Sequence, residues 1–290
     1  MNMKTVYLNK FMSSVVTELE MNGQYGTAHV CGSVLRSVMA FGGEGLPVSG
    51  ITPLWLKAYE GYLLHKGGKG LAWNTVSTYM RMLQAVYNRA VARKLAAFIP
   101  HQFRDVFTGR KADHRRVLER DDMQKLLVER EPDITSPGMA WARACLELMF
   151  RFHGMPFVDL AHLRKSDLKD GYLTLRRRKT GMPLSARVDG RAMQLLERYR
   201  NRDDTSPYLL CFLDGNLEGM AAYRDYQRIL RLLNSRLRAL ALWKKVQGKV
   251  TSYSARHTWA TVGRYCHIPI EVISEGLGHA SVTTTEGYMK

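Results

Sequence analysis

The chain has 290 residues, of which 46% are hydrophobic and 24% are charged. This composition is typical of soluble globular proteins, and no apolar run approaches the roughly 20 residues that a membrane-spanning helix needs. The first ten residues have no apolar block after Lys4, so we expect no secretory signal and a cytoplasmic protein. The length is sufficient for two domains, each with its own core.

The charge balance is strongly basic, with 43 Lys and Arg against 26 Asp and Glu and a net charge of +17. Basic residues are in excess on both sides of Ala112. A polyanion held from two sides, with its phosphates neutralised by Lys and Arg, requires such a distribution. A basic balance that serves solubility or nonspecific adhesion is the alternative.

The cysteines provide no sign of a metal or redox site. All four stand singly and lack the close C-x-x-C pairs of zinc sites and redox motifs. We therefore expect reduced, buried core residues at Cys31, Cys145, Cys211 and Cys266.

Helical spacing of apolar residues predicts four helices in the first half of the chain. The first spans Leu8 to Met21 and the second Thr27 to Phe41. The third begins with Thr52 as N-cap and Pro53 at the first helical position, and the fourth starts at Asn74. Four basic residues of this last segment lie mostly off its apolar stripe, where they contact either phosphates or water: Arg81, Arg89, Arg93 and Lys94.

Periodicity is lost between Pro100 and Val117, where basic residues that include Arg115 and Arg116 surround a Thr-Gly turn. A segment of this kind is typical of an interdomain connection. We therefore predict a helical domain at residues 1–108, a linker at 109–116 and a second domain at 117–290.

The second half mixes helices with one hairpin. Asp121 or Asp122 is predicted to cap a short helix, Ser136 to open a longer one, and Phe157 to begin a further helical turn. Asp189 is predicted to cap the helix that follows the hairpin. The expected fold class is mainly α with a small β component.

The hairpin is basic. Tyr172 to Leu175 and Leu184 to Val188 alternate as two strands around a turn at Lys179 to Gly181. This arrangement places a lysine near the tip. Three arginines lead into the turn and are candidate DNA contacts: Arg176, Arg177 and Arg178.

A short apolar segment, Tyr208 to Leu213, is a candidate strand, and a long amphipathic helix is predicted from Tyr223 to Trp243. This helix carries several arginines, among them Arg228 and Arg231, with only Asp225 close enough to pair locally. Their density favours DNA contact over a solvated face.

The C-terminal stretch from Thr251 to Tyr288 contains the residues for chemistry at a phosphate. A guanidinium such as that of Arg256 donates two parallel hydrogen bonds to phosphate oxygens and does not deprotonate. The imidazole of His279 can donate to a phosphate oxygen or move a proton. Tyr288 can attack phosphorus and form a phosphotyrosyl ester, and Lys179 can protonate the departing 5′ oxygen. Each residue alone also has an ordinary structural explanation, as a solvated, capping or packed side chain.

Together these residues form a pattern that resembles the C-terminal signature of tyrosine recombinases, the phage integrase family. The pattern is Arg-His-Thr-x-Ala-Thr from Arg256, Leu-Gly-His ending at His279, and then Tyr288. The resemblance covers nearly the whole chain and is greatest to integrases and invertases of conjugative and phase-variable mobile elements that carry Gly-Met-x-Phe-Val-Asp, here Gly154 to Asp159. It implies an N-terminal helical core-binding (SAM-like) domain and an α+β catalytic domain.

The resemblance also implies a reaction. Double-stranded DNA is cleaved and rejoined through a 3′-phosphotyrosyl intermediate and a Holliday junction, by a homotetramer on two DNA sites, without metal or nucleotide cofactor. It is compatible with a monomer in the absence of DNA, with accessory proteins that bend DNA, and with a nucleoid location. A non-catalytic DNA-binding or architectural protein with a decayed recombinase site is the alternative.

Residue by residue, the resemblance assigns Arg256 as the second catalytic arginine, Lys179 as the hairpin lysine, His279 as the later histidine and Tyr288 as the nucleophile. His257 falls at a structural position of the motif. Tyr253 occupies a slot that is often histidine, and it is a poorer proton shuttle near neutral pH.

The first catalytic arginine is absent, since Pro156 occupies its usual place. Relatives with this motif often have arginine just before the glycine, where this chain has His153. Natural divergence, an engineered substitution, and compensation by Arg143 or Arg151 are the open explanations. Loss of one anion-stabilising donor costs about 10²- to 10³-fold in rate, so we expect slow cleavage. We also expect a truncated C-terminus, because relatives usually continue beyond the position of Lys290.

Overall fold

The computed structural model describes residues 5–111, 118–127, 136–279 and 281–287. The chain divides into two compact units, Met1–Ala112 and Asp113–Lys290. The predicted linker at 109–116 lies at this division, and residues 112–117 lie outside the described residues.

The first unit is built from helices whose apolar faces form a common core. Leu8, Leu56, Met80 and Leu83 are fully buried there. The helices are α1 (Leu8–Met21), α2 (Tyr25–Gly42), α3 (Pro53–His65) and α4 (Trp73–Ala92), with short 3₁₀ turns at Val48–Gly50 and Lys66–Gly68.

The start of α3 confirms the predicted cap. The Thr52 hydroxyl accepts a 3.1 Å hydrogen bond from the Trp55 amide, and Pro53 occupies the first helical position. This bond satisfies one of the amides that a helix start leaves without an intrahelical partner.

The second unit contains helices and a small sheet. Its helices are α5 (Arg120–Leu127), α6 (Pro137–Arg151), α7 (Phe157–Ala161), α8 (Gly190–Arg198), α9 (Gly219–Trp243), α10 (Ser254–Tyr265), α11 (Ile270–Leu277) and α12 (Val282–Glu286). Its strands are β1 (Leu168–Lys169), β2 (Tyr172–Arg176) and β3 (Pro183–Arg187), after a 3₁₀ turn at Lys165–Asp167.

The predicted hairpin is confirmed. β2 and β3 pair in antiparallel register, with Leu173 opposite Ala186 and Leu175 opposite Leu184. Leu173, Leu184 and Ala186 are buried, so one face of the hairpin packs on the core. After the hairpin, the Asp189 carboxylate accepts a 2.7 Å hydrogen bond from the Ala192 amide and caps α8 as predicted.

Several details differ from the sequence prediction. Asp121 and Asp122 lie inside the first turn of α5, which favours acids electrostatically, and do not precede the helix. Strand β1 was not predicted, because two residues are too few to show a period. The segment at 208–213 is not a strand, since Tyr208 and Leu210 make only isolated bridges.

The cysteine prediction is only partly right. Cys31 and Cys145 are buried, whereas Cys211 and Cys266 are exposed.

The core of the second unit forms mainly around α6 and α9. Leu146, Leu148, Leu233 and Leu237 are fully buried in it. A smaller cluster joins Ala260 of α10 to Ile273 and Leu277 of α11, with Trp259 packed against it. This small cluster fixes the end of α11 beside α10. Among the described residues, no helix combines the length and apolarity needed to cross a membrane.

Candidate active site

Arg256 lies in the first turn of α10 and is only 3% exposed. Its Nη1 donates to the Gly154 carbonyl at 3.0 Å, and its Nη2 donates to the Leu277 carbonyl at 2.7 Å and to His279 Nε2 at 2.8 Å. A buried guanidinium requires acceptors of this kind, because an unpaired buried charge is strongly unfavourable. Arg256 is therefore held by the segment before α7 and by the end of α11.

His279 is bound on both sides of its ring. Since a guanidinium can only donate, His279 Nε2 accepts from Arg256, so Nδ1 carries the proton and donates to Thr285 Oγ1 at 2.8 Å. Burial, together with the nearby charges of Arg256 and Arg177, lowers the pKa of His279 to about 4. The imidazole is therefore neutral near pH 7.

Two glycines allow this close approach. Gly154 has φ +67°, and a Cβ there would lie 2.9 Å from the Arg256 Cα. Gly278, the left-handed C-cap of α11 at φ +62°, would place a Cβ 2.6 Å from the Arg177 Cδ. At both positions the left-handed backbone favours glycine, and there is no space for a side-chain Cβ.

Arg177 does not fit its predicted role as a DNA contact. It is 6% exposed, and its Nε donates to Asp159 Oδ2 at 3.2 Å. Its Nη1 donates to the carbonyl oxygens of Leu277 and Gly278, the latter at 2.9 Å. Arg177 is therefore a buried residue that hydrogen-bonds to other parts of the protein. The sequence pattern did not predict this, because Arg177 lies beyond the last paired residue of β2, where strand alternation gives no information on burial.

The hairpin lysine is exposed. Lys179 lies in the turn between β2 and β3. Two backbone hydrogen bonds close this turn: the Arg177 amide donates to the Met182 carbonyl at 2.9 Å, and the Gly181 amide donates to the Arg177 carbonyl at 2.8 Å. The base of this turn is anchored at Asp159, whose Oδ1 accepts from the Arg178 amide at 2.9 Å. Exposure leaves the ammonium accessible to a ligand.

His153 lies beside the site in a left-handed conformation, with φ 57°. Its ring packs 5.4 Å from that of Trp259, one turn beyond Arg256 on α10. Its Nδ1 is buried without a hydrogen-bond partner in the described part of the chain, and burial lowers the pKa of the side chain. With Leu184 and Ser185 it lines a cleft.

Pro156, at the usual place of the first arginine, precedes α7 as its N-cap residue. Neither proposed substitute binds at Arg256. Arg143 lies 3.8 Å from Glu147 and donates to the Leu127 carbonyl at 3.1 Å. Arg151 donates to Glu147 at 3.0 Å and to Asp189 at 2.6 Å. These bonds place both guanidinia in an ion-pair network around Glu147.

Tyr253 is the N-cap residue of α10 and is 38% exposed, with its ring 5.9 Å from that of His257. Three predicted residues cannot be located in this way, because they lie outside the described residues: Tyr288, Arg115 and Arg116. The chain is described up to Gly287, directly before Tyr288, and Thr285 of α12 is fully buried against His279.

The remaining predicted DNA contacts fall into two groups. Some pair with acids: Arg93 and Arg89 lie 2.7 Å and 3.6 Å from Glu18, and Arg228 lies 2.7 Å from Asp225. The pairing with Glu18 joins α4 to α1, so spacing within one helix could not predict it. Others are exposed: Arg81, Lys94, Arg176, Arg178 and Arg231.

Comparison with known families gives two matches that together span most of the chain. A model of the phage integrase SAM-like domain matches residues 7–104, and a model of the phage integrase family matches residues 116–290. The second match includes every residue of the site described above.

Curated relatives are distant. The chain is 29% identical over 140 residues to the tyrosine recombinase XerA of Pyrococcus furiosus. This match covers 47% of this chain and 46% of XerA. It is 27% identical over 180 residues to the putative integrase/recombinase y4gC of Sinorhizobium fredii. This second match covers 60% of this chain and 88% of y4gC. The chain thus matches less than half the length of XerA.

Solved structures share the fold. A lambda integrase dimer bound to a COC′ core site matches with a TM-score of 0.64 and 16% identity, over 99% of this chain and 78% of that one. The Tn1549 transposon integrase in complex with transposon right end DNA matches with a TM-score of 0.68 and 16% identity, over 98% and 95% of the two chains. A lambda integrase tetramer bound to a Holliday junction matches with a TM-score of 0.63 and 16% identity, over 99% and 78%.

Proposed function

Since the chain belongs to the phage integrase family of tyrosine recombinases, we propose that it is a site-specific DNA recombinase, an integrase or invertase. It cleaves and rejoins DNA through a 3′-phosphotyrosyl intermediate and a Holliday junction. The observation that carries the proposal is the hydrogen bond between Arg256 and His279, which brings together the two C-terminal motifs.

Arg256 supplies the positive charge of the site. A phosphodiester under attack gathers negative charge on its non-bridging oxygens, and a guanidinium in a water-poor site stabilises that charge strongly. In the free protein its donors bind Gly154, Leu277 and His279. A scissile phosphate competes for these donors, and its charge makes it the stronger acceptor.

His279 acts as a neutral imidazole. Its Nε2 lone pair, which accepts from Arg256 in the free protein, can receive the phenolic proton of Tyr288 when the guanidinium turns to the phosphate. Tyr288 needs such an acceptor, because a phenol with a pKa of about 10 is mostly protonated at neutral pH. Thr285 holds the tautomer that leaves Nε2 available.

Tyr288 and Lys179 act on opposite sides of the phosphorus, Tyr288 as the nucleophile and Lys179 as the acid for the leaving oxygen. The Tyr288 oxygen forms a bond to phosphorus while the bond to the 5′ oxygen breaks, and the exposed ammonium of Lys179 gives a proton to that oxygen. The phosphotyrosyl ester keeps the energy of the broken phosphodiester, so rejoining needs no nucleotide and no metal. Tyr253 and His153 are secondary candidates for contact with the phosphate.

The cleavage rate is expected to be low. Pro156 supplies no charge, and Arg143 and Arg151 are bound to Glu147. Loss of one anion-stabilising donor costs about 10²- to 10³-fold.

The proposed assembly is a homotetramer on two double-stranded DNA sites, with accessory proteins that bend the DNA. The neighbouring lambda integrase structure, described as a tetramer bound to a Holliday junction, supports this assembly. The proposed phosphate contacts are the exposed residues Arg81, Lys94, Arg176, Arg178 and Arg231, consistent with a net charge of +17. The site of action is the DNA of the cell, which implies a nucleoid-associated protein.

A nicked suicide substrate that carries the target site tests the proposal, since the cleaved strand diffuses away and traps the covalent intermediate. We expect a denaturant-resistant protein–DNA adduct that disappears in Tyr288→Phe. An adduct that persists in Tyr288→Phe contradicts the assignment of the nucleophile.

A non-catalytic DNA-binding or architectural protein is the second candidate. The absence of charge at Pro156 and the ion-paired state of the nearby arginines favour it. This candidate predicts site-specific DNA binding without any adduct, even on the suicide substrate and over long incubation.

A further inference from the structure

Arg177 connects three separate elements through one buried side chain. Its Nε binds Asp159 of α7 at 3.2 Å, and its Nη1 binds the carbonyls of Leu277 and Gly278 at the end of α11. Arg177 itself directly follows β2. The guanidinium therefore ties the base of the hairpin turn to α7 and to the turn that precedes His279.

These hydrogen bonds hold the Arg177 guanidinium in one position. Asp159 is 2% exposed, so the ion pair is buried on both sides. The helix end contributes carbonyls that lack intrahelical donors and carry partial negative charge. Removal of one partner from a buried pair is strongly unfavourable, because the other charge remains without compensation.

Arg177 and Arg256 share one acceptor. Both guanidinia donate to the Leu277 carbonyl, which lies two residues before His279. On the other side, Asp159 accepts from the Arg178 amide, the residue directly before Lys179. A continuous set of hydrogen bonds therefore runs from the lysine turn through Asp159, Arg177 and Leu277 to Arg256.

We propose that Arg177 is a positioning residue, whose buried guanidinium, held by Asp159, fixes the Lys179 turn relative to Arg256 and His279. This inference rests on the proposed function. Arg177 does not itself contact the phosphate. Without it, Arg256 keeps Gly154, Leu277 and His279 as acceptors, so the loss falls mainly on Lys179 and on protonation of the leaving oxygen.

A change of leaving group isolates this step. A substrate with sulfur in place of the bridging 5′ oxygen releases a thiolate, which needs no proton because thiols have a pKa of about 8.5. The bond from phosphorus to sulfur breaks, the bond to the tyrosine oxygen forms as before, and the lysine proton is not consumed. A variant whose defect lies in leaving-group protonation recovers on this substrate.

The experiment compares single-turnover cleavage of the oxygen and sulfur substrates at saturating DNA. We expect Arg177→Met to cleave the oxygen substrate roughly 10²-fold more slowly, the size of effect that displacement of a catalytic group by about 1 Å produces. The defect should shrink at least tenfold on the sulfur substrate, as in Lys179→Ala. Arg177→Lys should retain part of the rate.

The matched control is Arg187→Met, which removes the same charge from an exposed position at the end of the same hairpin. It should cleave both substrates at the parental rate. Asp159→Asn, which keeps the side-chain volume, should reproduce the Arg177→Met pattern and replaces that variant if it does not fold. An equal defect on both substrates, or no defect, overturns the proposal.

Hydrogen exchange in the free protein separates this inference from the proposed function. Exchange of the amides at 178–182 should accelerate in Arg177→Met and not in Arg187→Met; unchanged exchange overturns the positioning role. If the parental protein forms no adduct, the proposed function fails, and the exchange measurement still decides whether Arg177 fixes the turn.

Discussion

Arg256 Nη2 donates a 2.8 Å hydrogen bond to His279 Nε2, and this bond defines both the tautomer of the histidine and the resting state of the arginine. The two groups proposed to bind a phosphate thus bind each other. Replacement of this bond by bonds to a charged phosphate is favourable because charge-assisted hydrogen bonds are the stronger ones. Under the proposed function, DNA binding and activation of His279 are coupled in one exchange of partners.

Arg256→Lys should reduce covalent adduct formation by about 10²- to 10³-fold, as for loss of an anion-stabilising donor. A lysine keeps the charge but cannot reach Gly154, Leu277 and His279 with a fixed fork of donors. DNA affinity, measured by fluorescence anisotropy, should change little. Arg264→Lys, an exposed position at the end of the same helix, is the control and should leave the adduct yield unchanged; equal yields in the two variants contradict the assignment of Arg256.

His153→Arg should increase adduct formation on the suicide substrate, because it places a guanidinium beside the Arg256 site. The backbone there is left-handed, with φ 57°, and this strain is the same for histidine and arginine. His153→Gln, which adds no charge, is the control. If neither variant increases adduct formation, position 153 does not belong to the set of phosphate-binding residues.

The sequence allowed the prediction of the helices, the hairpin and the caps at Thr52 and Asp189, since these depend on local spacing. Its compact motif also predicted that Arg256 and His279 belong to one site, and the fold brings the two side chains into hydrogen-bond contact. The sequence assigned Arg177 to DNA, because strand alternation cannot show that the chain returns Asp159 and the end of α11 to that side chain. Partners that are distant in sequence, such as Glu18 for Arg93 or Thr285 for His279, became visible only in the fold.

Gly154→Ala should reduce adduct formation more than it reduces stability. The methyl group would lie 2.9 Å from the Arg256 Cα and displace the start of α10. The left-handed backbone adds strain of about 1–3 kcal/mol. Gly171→Ala, at φ +77° with nothing within 4 Å, is the matched control for that strain and should lose stability without loss of cleavage. Comparable cleavage losses in both variants contradict a local effect on Arg256.

Acidification should destabilise the fold between about pH 6.5 and pH 4. Burial lowers the pKa of His162 and of His279 to about 4, with Arg178 close to the first and Arg256 close to the second. Below the unfolded value of about 6.5 the unfolded chain binds protons that the folded chain does not, so stability is full above pH 6.5 and falls as the pH drops toward 4. Denaturant unfolding across this range measures it.

His162→Gln provides the check on that pH dependence. It should flatten the slope of the unfolding free energy between pH 6.5 and pH 4, because one of the titrating groups is gone. A slope that is unaffected by His162→Gln assigns the pH dependence to other groups.

Thr285→Val should lower the cleavage rate about fivefold, with little change in DNA affinity. Valine keeps the shape of threonine but removes the oxygen that accepts from His279 Nδ1 at 2.8 Å. One neutral hydrogen bond contributes roughly 1 kcal/mol, and about 1.4 kcal/mol corresponds to a factor of ten. Once Arg256 turns to the phosphate, Thr285 is the partner that holds the proton on Nδ1. Without this acceptor, Nε2 is then no longer reserved for the tyrosine proton. Thr285→Ser should restore the rate, and Thr283→Val, at an exposed position of the same helix, should leave it unchanged. A parental rate in Thr285→Val would show that the tautomer of His279 does not limit cleavage.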